Sequence, residues 1–221
     1  MSAILFGSIS TLADTSELQR RAFNEAFSAH GLDWTWERDD YVGMLGSNGG
    51  AGRIAEYATS KGVDVDADAV HATKSQIFQD LLQTSGVEAR PGVADTISNA
   101  KADGIKIGFV TTTSRENIDA LLTALAPAVT ADSFDVIVDA STVATGKPDP
   151  AAYLHALDAL GEKAGDCVAV EDNAGGARAA AAADVTCVAF PNENTVDADF
   201  GPVAETVSAL DPTAVRALLA A

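Results

Sequence analysis

Histidine, cysteine and positive charge are all scarce in this chain. It has three histidines, two cysteines, and 14 Lys and Arg against 32 Asp and Glu, a formal charge of −18 over 221 residues. Two cysteines do not make a disulfide scaffold, and Cys167 and Cys187 both sit in apolar runs that read as buried strand. No zinc-ligand spacing can be built from them. The acidic excess repels phosphate backbones and anionic bilayers, so neither nucleic acid nor a membrane surface is an expected partner. A small phosphorylated ligand needs only a local cluster of donors and is not excluded. The apolar start, Ala3-Ile4-Leu5-Phe6, is far too short to span a membrane or to act as an export leader, and a cytoplasmic location is the expectation. Gly146-Lys147 is followed by Pro148, which rules out a nucleotide-hydrolase phosphate loop. There is no Gly-x-Ser-x-Gly elbow, and the cluster from Gly43 to Gly52 lacks the strand–turn–helix setting of a dinucleotide site.

Apolar residues are plentiful, at 47%, enough for a packed core. The length fits one large domain or a domain with a small insert. Five short apolar runs read as strands: Ala3–Phe6, Ile105–Thr111, Phe134–Asp139, Cys167–Glu171 and Val185–Phe190. They are almost continuously apolar, as strands covered on both faces must be. Helical patterns separate most of them. Leu121, Leu122 and Leu125 share one helical side, as do Tyr153, Leu154 and Leu157, and Asn173 begins a helix that Ala179–Ala183 continue. The alternation predicts an α/β fold with a parallel sheet and helices on both faces.

Residues 16–88 break the rhythm. Leu18, Ala22, Phe23, Ala26 and Phe27 form one helical face, and Val70, Ile77, Phe78 and Leu81 another. A glycine-rich turn, Gly46-Ser47-Asn48-Gly49-Gly50-Ala51-Gly52, lies between them, and Pro91-Gly92 marks the return to the core. This reads as a helical cap inserted after the first strand, with residues 1–15 and 89–221 forming the core.

Four polar segments fall at strand ends or just beyond them: Gly7-Ser8-Ile9-Ser10-Thr11, Thr111-Thr112-Thr113-Ser114, Gly146-Lys147-Pro148-Asp149-Pro150 and Glu171-Asp172-Asn173. A doubly wound sheet collects its ligands there. Hydroxyls, an ammonium and two carboxylates in one crevice would suit a phosphate with a hard metal ion.

This ordered set, with Glu17-Leu18-Gln19-Arg20-Arg21-Ala22-Phe23-Asn24 and Gly49-Gly50-Ala51-Gly52-Arg53-Ile54, resembles the haloacid dehalogenase superfamily of aspartyl phosphotransferases. Within it the chain is most similar to the capped sugar-phosphate branch of CbbY-type and β-phosphoglucomutase-like enzymes. The resemblance implies a Rossmann-like core with a helical cap. It implies phosphate contacts from Thr111, Thr112 and Lys147, and substrate contacts across the cap from Gln19, Arg53 and Lys74. It also implies Mg²⁺ held by Glu171 and Asp172. The departures are as informative. The family's first motif places an aspartate nucleophile and, two residues on, an aspartate acid/base; here those positions are Gly7 and Ile9. Gln19 stands where a histidine is usual, and Ala51 where a lysine is usual.

Read from the residues themselves, each retained position has a second role. Thr111 holds a phosphate oxygen or terminates its strand; Lys147 neutralises phosphate or pairs with Glu171 or Asp172. Lys74 snorkels from an apolar helix face or reaches a substrate phosphate. Asn173 reads as a helix N-cap, and Asp14 and Glu17 as charge at the first cap helix. His30 reads as a helix-end contact, and His71 and His155 as surface or boundary residues. With two carboxylates missing, Mg²⁺ is expected to be weak or absent. The leading expectation is a protein that has lost aspartyl phosphotransfer but still takes a phosphosugar or inorganic anion. The rivals are an active sugar-phosphate phosphatase using another nucleophile or a metal-bound water, and a non-enzymatic protein-interaction module whose partner is unknown.

Overall fold

The computed structural model describes residues 2–45 and 49–220. Six parallel strands form one sheet in the order β3-β2-β1-β4-β5-β6. They are β1 (Ala3–Phe6), β2 (Lys106–Val110), β3 (Val136–Val138), β4 (Cys167–Glu171), β5 (Thr186–Ala189) and β6 (Glu205–Thr206). Side chains along a strand alternate between faces. Ile4, Phe6, Val168 and Val170 therefore enter one core cluster, while Ala3, Leu5, Cys167 and Ala169 enter the cluster on the opposite face. Around the sheet run α1 (Ile9–Leu12), α6 (Val93–Ala102), α7 (Arg115–Leu125), α8 (Ala151–Leu160), α9 (Ala174–Ala182) and α10 (Pro212–Ala217).

Between α1 and α6 come α2 (Ser16–Ala29), α3 (Arg38–Gly43), α4 (Gly50–Lys61) and α5 (Ala67–Thr84), with no strand among the described residues. They close on a third cluster built from Phe23, Phe27, Trp36, Tyr41, Ile54 and Val70. The Trp36 ring sits 4.8 Å from Phe23 and 4.7 Å from Phe27, ring contacts that add to simple burial. The far half of α5 does something else. Phe78, Leu81 and Leu82 join the sheet's own cluster, and Gln79 Nε2 donates to Asn117 Oδ1 on α7 at 2.9 Å. One helix thus serves both regions and holds the insert over the strand ends.

The structure corrects several details. Ala3–Phe6 and Cys167–Glu171 match β1 and β4 end to end, while β2, β3 and β5 are shorter than their apolar runs, whose polar ends Thr111 and Asp139 turn their side chains to loop N–H groups. β6 went unseen, since Glu205-Thr206 carries no apolar signal. Leu154 does not share the face of Tyr153 and Leu157; it is 51% exposed, and the buried face of α8 is Ala152, Tyr153, Ala156, Leu157 and Leu160. Gly50, Ala51 and Gly52 form the first turn of α4 rather than part of a loop. Gly46, Ser47 and Asn48 lie outside the described residues.

Candidate functional site

β1 is flanked by β2 on one side and β4 on the other, so the direction of chain progression reverses at β1. Such a switch point opens a crevice at the carboxyl ends of the strands. A cavity of about 430 Å³ lies there, between the strand ends and the helical insert. Ser8, Ile9 and Ser10 line it from the end of β1, Thr111 to Ser114 from the end of β2, and Asp172 and Asn173 from the end of β4. Gln19, Arg53, His71 and Lys74 line it from the insert. That volume suits a small metabolite.

The core end is held together by its own side chains. Glu171 is fully buried, and its Oε1 accepts from Lys147 Nζ at 2.5 Å and from Tyr153 Oη at 2.7 Å. Lys147 also donates to the Val110 carbonyl at 2.6 Å, its ammonium 4.8 Å from the Tyr153 ring centroid. Of the two sequence readings of Lys147, the structure places its ammonium on Glu171. Neither Lys147 nor Glu171 lines the cavity. Burial raises the Glu171 carboxyl pKa, and the Lys147 charge opposes that rise.

The Glu171 carboxylate lies against two glycines. A Cβ built on Gly7 would sit 2.1 Å from its Cδ and 2.3 Å from each oxygen, and one on Gly176 would also sit 2.1 Å from Cδ. At neither position is there room for a side chain while Glu171 keeps this conformation. Asp172 is satisfied differently. Its Oδ1 accepts from Ser8 Oγ at 2.5 Å, Thr11 Oγ1 at 3.0 Å and Asn173 Nδ2 at 3.2 Å, and its Oδ2 from Asn192 Nδ2 at 2.7 Å.

These donors decide the fit of the Mg²⁺ that the family resemblance implies. Magnesium asks for an octahedral set of oxygens, usually anchored by one or two carboxylates that still have lone pairs to give. Asp172 already takes four side-chain donors. Glu171 carries an ammonium that repels a dication, and only its Oε2 lacks a hydrogen-bond partner among the described residues. Position 7 supplies no carboxylate, and among the described residues no group of three or more Asp, Glu, His or Cys is arranged to hold a metal. The residues present do not fit Mg²⁺.

The wall contributed by the insert has the opposite character. Lys74 is 5% exposed, donates to Gln19 Oε1, and lies 4.8 Å from the ring centroids of both Phe23 and Phe78. It does not snorkel: the ammonium stays at the cavity, because the aromatic faces beside it offer a cation–π surface and the stem is enclosed by α2. Desolvation, with a smaller contribution from the Arg53 charge, pulls its pKa down to about 7. Arg53 donates through Nε to the Met44 carbonyl at 3.1 Å, its guanidinium 5.6 Å from the Tyr41 ring centroid. His71 is half-buried and faces the same space, in keeping with the boundary alternative of its sequence reading; burial and the Lys74 charge lower its pKa. The other histidines keep their sequence roles: His30 caps α2, and His155 is exposed on α8.

Thr111 hydroxyl accepts the Thr113 backbone N–H at 3.3 Å, which shapes the loop into α7, while Thr112 is half-buried beside it. Asn173 caps α9 by accepting from the Gly176 N–H at 2.9 Å. Asp14 accepts from Ser16 N–H and Oγ at the start of α2. Arg20 at 2.6 Å and Asn194 at 2.8 Å bind Glu17, and the Arg20 bond holds its carboxyl below the usual range. Sequence reasoning missed Asn192, which follows the last long strand by the same rule that exposed the other four segments. It also missed Arg90, stacked 3.4 Å over Phe190 and donating to the carbonyls of Ser10, Phe190 and Pro191. No local pattern marks that brace.

A family model for haloacid dehalogenase-like hydrolases matches residues 1–184. Protein CbbY from Rhodobacter capsulatus is 37% identical over 221 residues, covering 99% of this chain and 97% of its own. Protein CbbY from Cereibacter sphaeroides is 39% identical over 90% of this chain and 87% of its own. Among solved structures, a point mutant of CbbY from Rhodobacter sphaeroides in complex with xylulose-(1,5)-bisphosphate superposes with a TM-score of 0.88 at 36% identity, covering 95% of both chains. CbbY from the same organism in complex with phosphate gives the same values.

Proposed function

This chain belongs to the haloacid dehalogenase-like hydrolase family, and from that premise we propose that it binds a phosphorylated sugar or a related anion without aspartyl phosphotransfer, helices 16–88 acting as its cap. The observation that carries this reading is the content of the cavity's core end. At position 7 the place of a side chain is taken by Glu171, and Ile9 has no proton to give or take. Removal of the nucleophile from a well-studied hydrolase leaves roughly 10³–10⁴ of rate over water, far short of the accelerations of up to ~10²¹ known for phosphate-ester hydrolysis. Positioning by Thr111 and Thr112 does not make up that difference.

Binding is a separate matter, and the cap wall is suited to it. Arg53 and Lys74 face the cavity with His71 beside them, while the core wall presents mostly neutral hydroxyls and amides beside the Asp172 carboxylate. An anionic group is favoured at the cap and a polyol at the core. The kinship with CbbY, solved with a phosphosugar and with phosphate, makes sugar phosphates the first compounds to try. The test is a panel of sugar mono- and bisphosphates scored for released phosphate and for the shift in melting temperature. The reading expects at least one member to stabilise the fold and none to lose phosphate faster than in buffer.

One contact favours a second reading, an active phosphatase: Ser8 Oγ donates to Asp172 at 2.5 Å, as a serine nucleophile would to a base. Asp172 is poorly placed to take that proton, because its oxygens also accept from three other donors, Thr11, Asn173 and Asn192. Phosphate release abolished by Ser8→Ala would establish this second reading; the first expects no release to abolish.

A further inference from the structure

We propose that Glu171 is this chain's own occupant of the core end of the site. Its carboxylate fills the space that a side chain at position 7 would need and serves as the counter-ion of Lys147, so the site stands with neither a carboxylate at position 7 nor a divalent cation. The proposal does not depend on what the cavity binds.

Three observations carry it. The carboxylate is wedged between two glycine backbones, with a Cβ at either Gly7 or Gly176 falling 2.1 Å from its Cδ. Non-bonded carbon atoms approach no closer than about 3.5 Å at optimum, so any residue other than glycine at position 7 must expel it. The carboxylate already holds two charged or polar donors, the Lys147 ammonium at 2.5 Å and the Tyr153 hydroxyl at 2.7 Å. A buried ammonium left without a partner is strongly unfavourable, so something must pair with Lys147 once position 7 carries no acid. Lastly, the pair is sealed behind the cavity wall, whose lining includes Asp172 but not Glu171 or Lys147. Gly7 is thus more than a missing nucleophile. It is the residue that admits Glu171, and the change at position 7 and the internal ion pair depend on each other.

Coupling between position 7 and Glu171 tests this. Gly7→Ala is made in the wild-type chain and in a Glu171→Ala/Lys147→Met chain, where the carboxylate and the charge that needs it are both gone. In the wild type, the added methyl is expected to lower the melting temperature by about 4–10 °C, the range that overpacking produces in a chain of this size. In the second background it enters vacated space, and the drop should be under about 2 °C. If Gly7→Ala does not fold in the wild-type chain, the proposal still requires it to fold in the second background. Equal drops in both backgrounds, or failure to fold in both, overturn the proposal. A second arm needs no variant. Mn²⁺, a paramagnetic substitute for Mg²⁺, is titrated into isotope-labelled wild type. The amide signals of Gly7, Asp172 and Asn173 should broaden no more than those of exposed acidic surfaces such as Asp39 and Asp40. Selective loss of the Gly7 and Asp172 signals would place a divalent ion at the strand ends and overturn the proposal.

Discussion

Lys147 and Lys74 are buried to nearly the same degree, 7% and 5% exposed, but Lys147 lies behind the core wall of the cavity and Lys74 lines its cap wall. Lys147 has a carboxylate at 2.5 Å, a backbone carbonyl and a tyrosine face. Lys74 has a glutamine amide, two phenylalanine faces and a neighbouring arginine. A lysine held by an internal carboxylate is part of the scaffold, and removing it strands the acid. A lysine held by neutral groups, with its pKa pulled down to about 7, gains most from an anion that arrives from solution. The proposed function thus makes the core end structural and the cap end receptive. The family resemblance alone had assigned phosphate contacts to the core end as well.

The largest effect that should separate the two ends is the cost of losing each lysine. Lys147→Met leaves Glu171 buried without its cation and is expected to cost about 3–5 kcal/mol in urea unfolding. Adding Glu171→Gln should recover most of that loss. Lys74→Met removes a desolvated charge and should cost under about 1 kcal/mol at pH 7, or stabilise. Similar large losses for both lysines would erase the contrast.

Next in size is the network around Asp172. Asn192→Ala removes the donor to its Oδ2 and should cost about 1.5–3 kcal/mol, the worth of a hydrogen bond to a charged group. Added Mg²⁺ should not restore the loss. Recovery on adding Mg²⁺ would mean that the freed oxygen takes up a metal.

The pH dependence follows from Lys74. Its folded pKa, about 7, lies below the ordinary lysine value of 10.5, so between these values the unfolded chain binds more protons and stability rises with pH. His71, its pKa lowered by burial and the Lys74 charge, is neutral over this range. Urea midpoints from pH 7 to 10 should climb in wild type, and this component of the slope should vanish in Lys74→Met. An unchanged slope in the variant would assign the titration elsewhere.

The smallest expected signal is an anion effect. Sulfate keeps its charge between pH 6 and 9, so any change in its effect reports the protein. Its stabilisation of the fold should be a few degrees at most at pH 6 and fade by pH 9, as Lys74 loses its proton. It should be retained in Lys147→Met/Glu171→Gln and lost in Lys74→Met. Equal shifts in all three proteins would reduce the effect to screening of the acidic surface.

Much of this was legible in the sequence. Five apolar runs announced the sheet, and helical periodicity between the first two runs announced the strandless stretch of α2 to α5, because burial on two faces and helical periodicity leave strong local marks. The strand-end rule found Thr111, Asp172 and the Gly7–Thr11 segment. It could not orient side chains. Whether Lys147 turned to a ligand or to Glu171 depended on a gap at Gly7 that exists only once β1 and β4 lie side by side. For Lys74 the sequence left snorkelling and a reach toward a substrate phosphate both open, because a single helix does not show the second helix packed against it. β6 and Arg90 left no mark, since one is two polar residues and the other acts through distant carbonyls.

Calorimetric titration of a ketopentose phosphate into wild type and Lys74→Met, with released phosphate assayed in the same samples, sets anion binding at the cap wall against turnover. Saturable binding to wild type, little or none to Lys74→Met, and no phosphate released by either protein are expected. Binding undiminished in Lys74→Met would contradict the proposed function. So would a wild-type turnover of about 1 s⁻¹ or more, typical of enzymes, that disappears in Lys147→Ala.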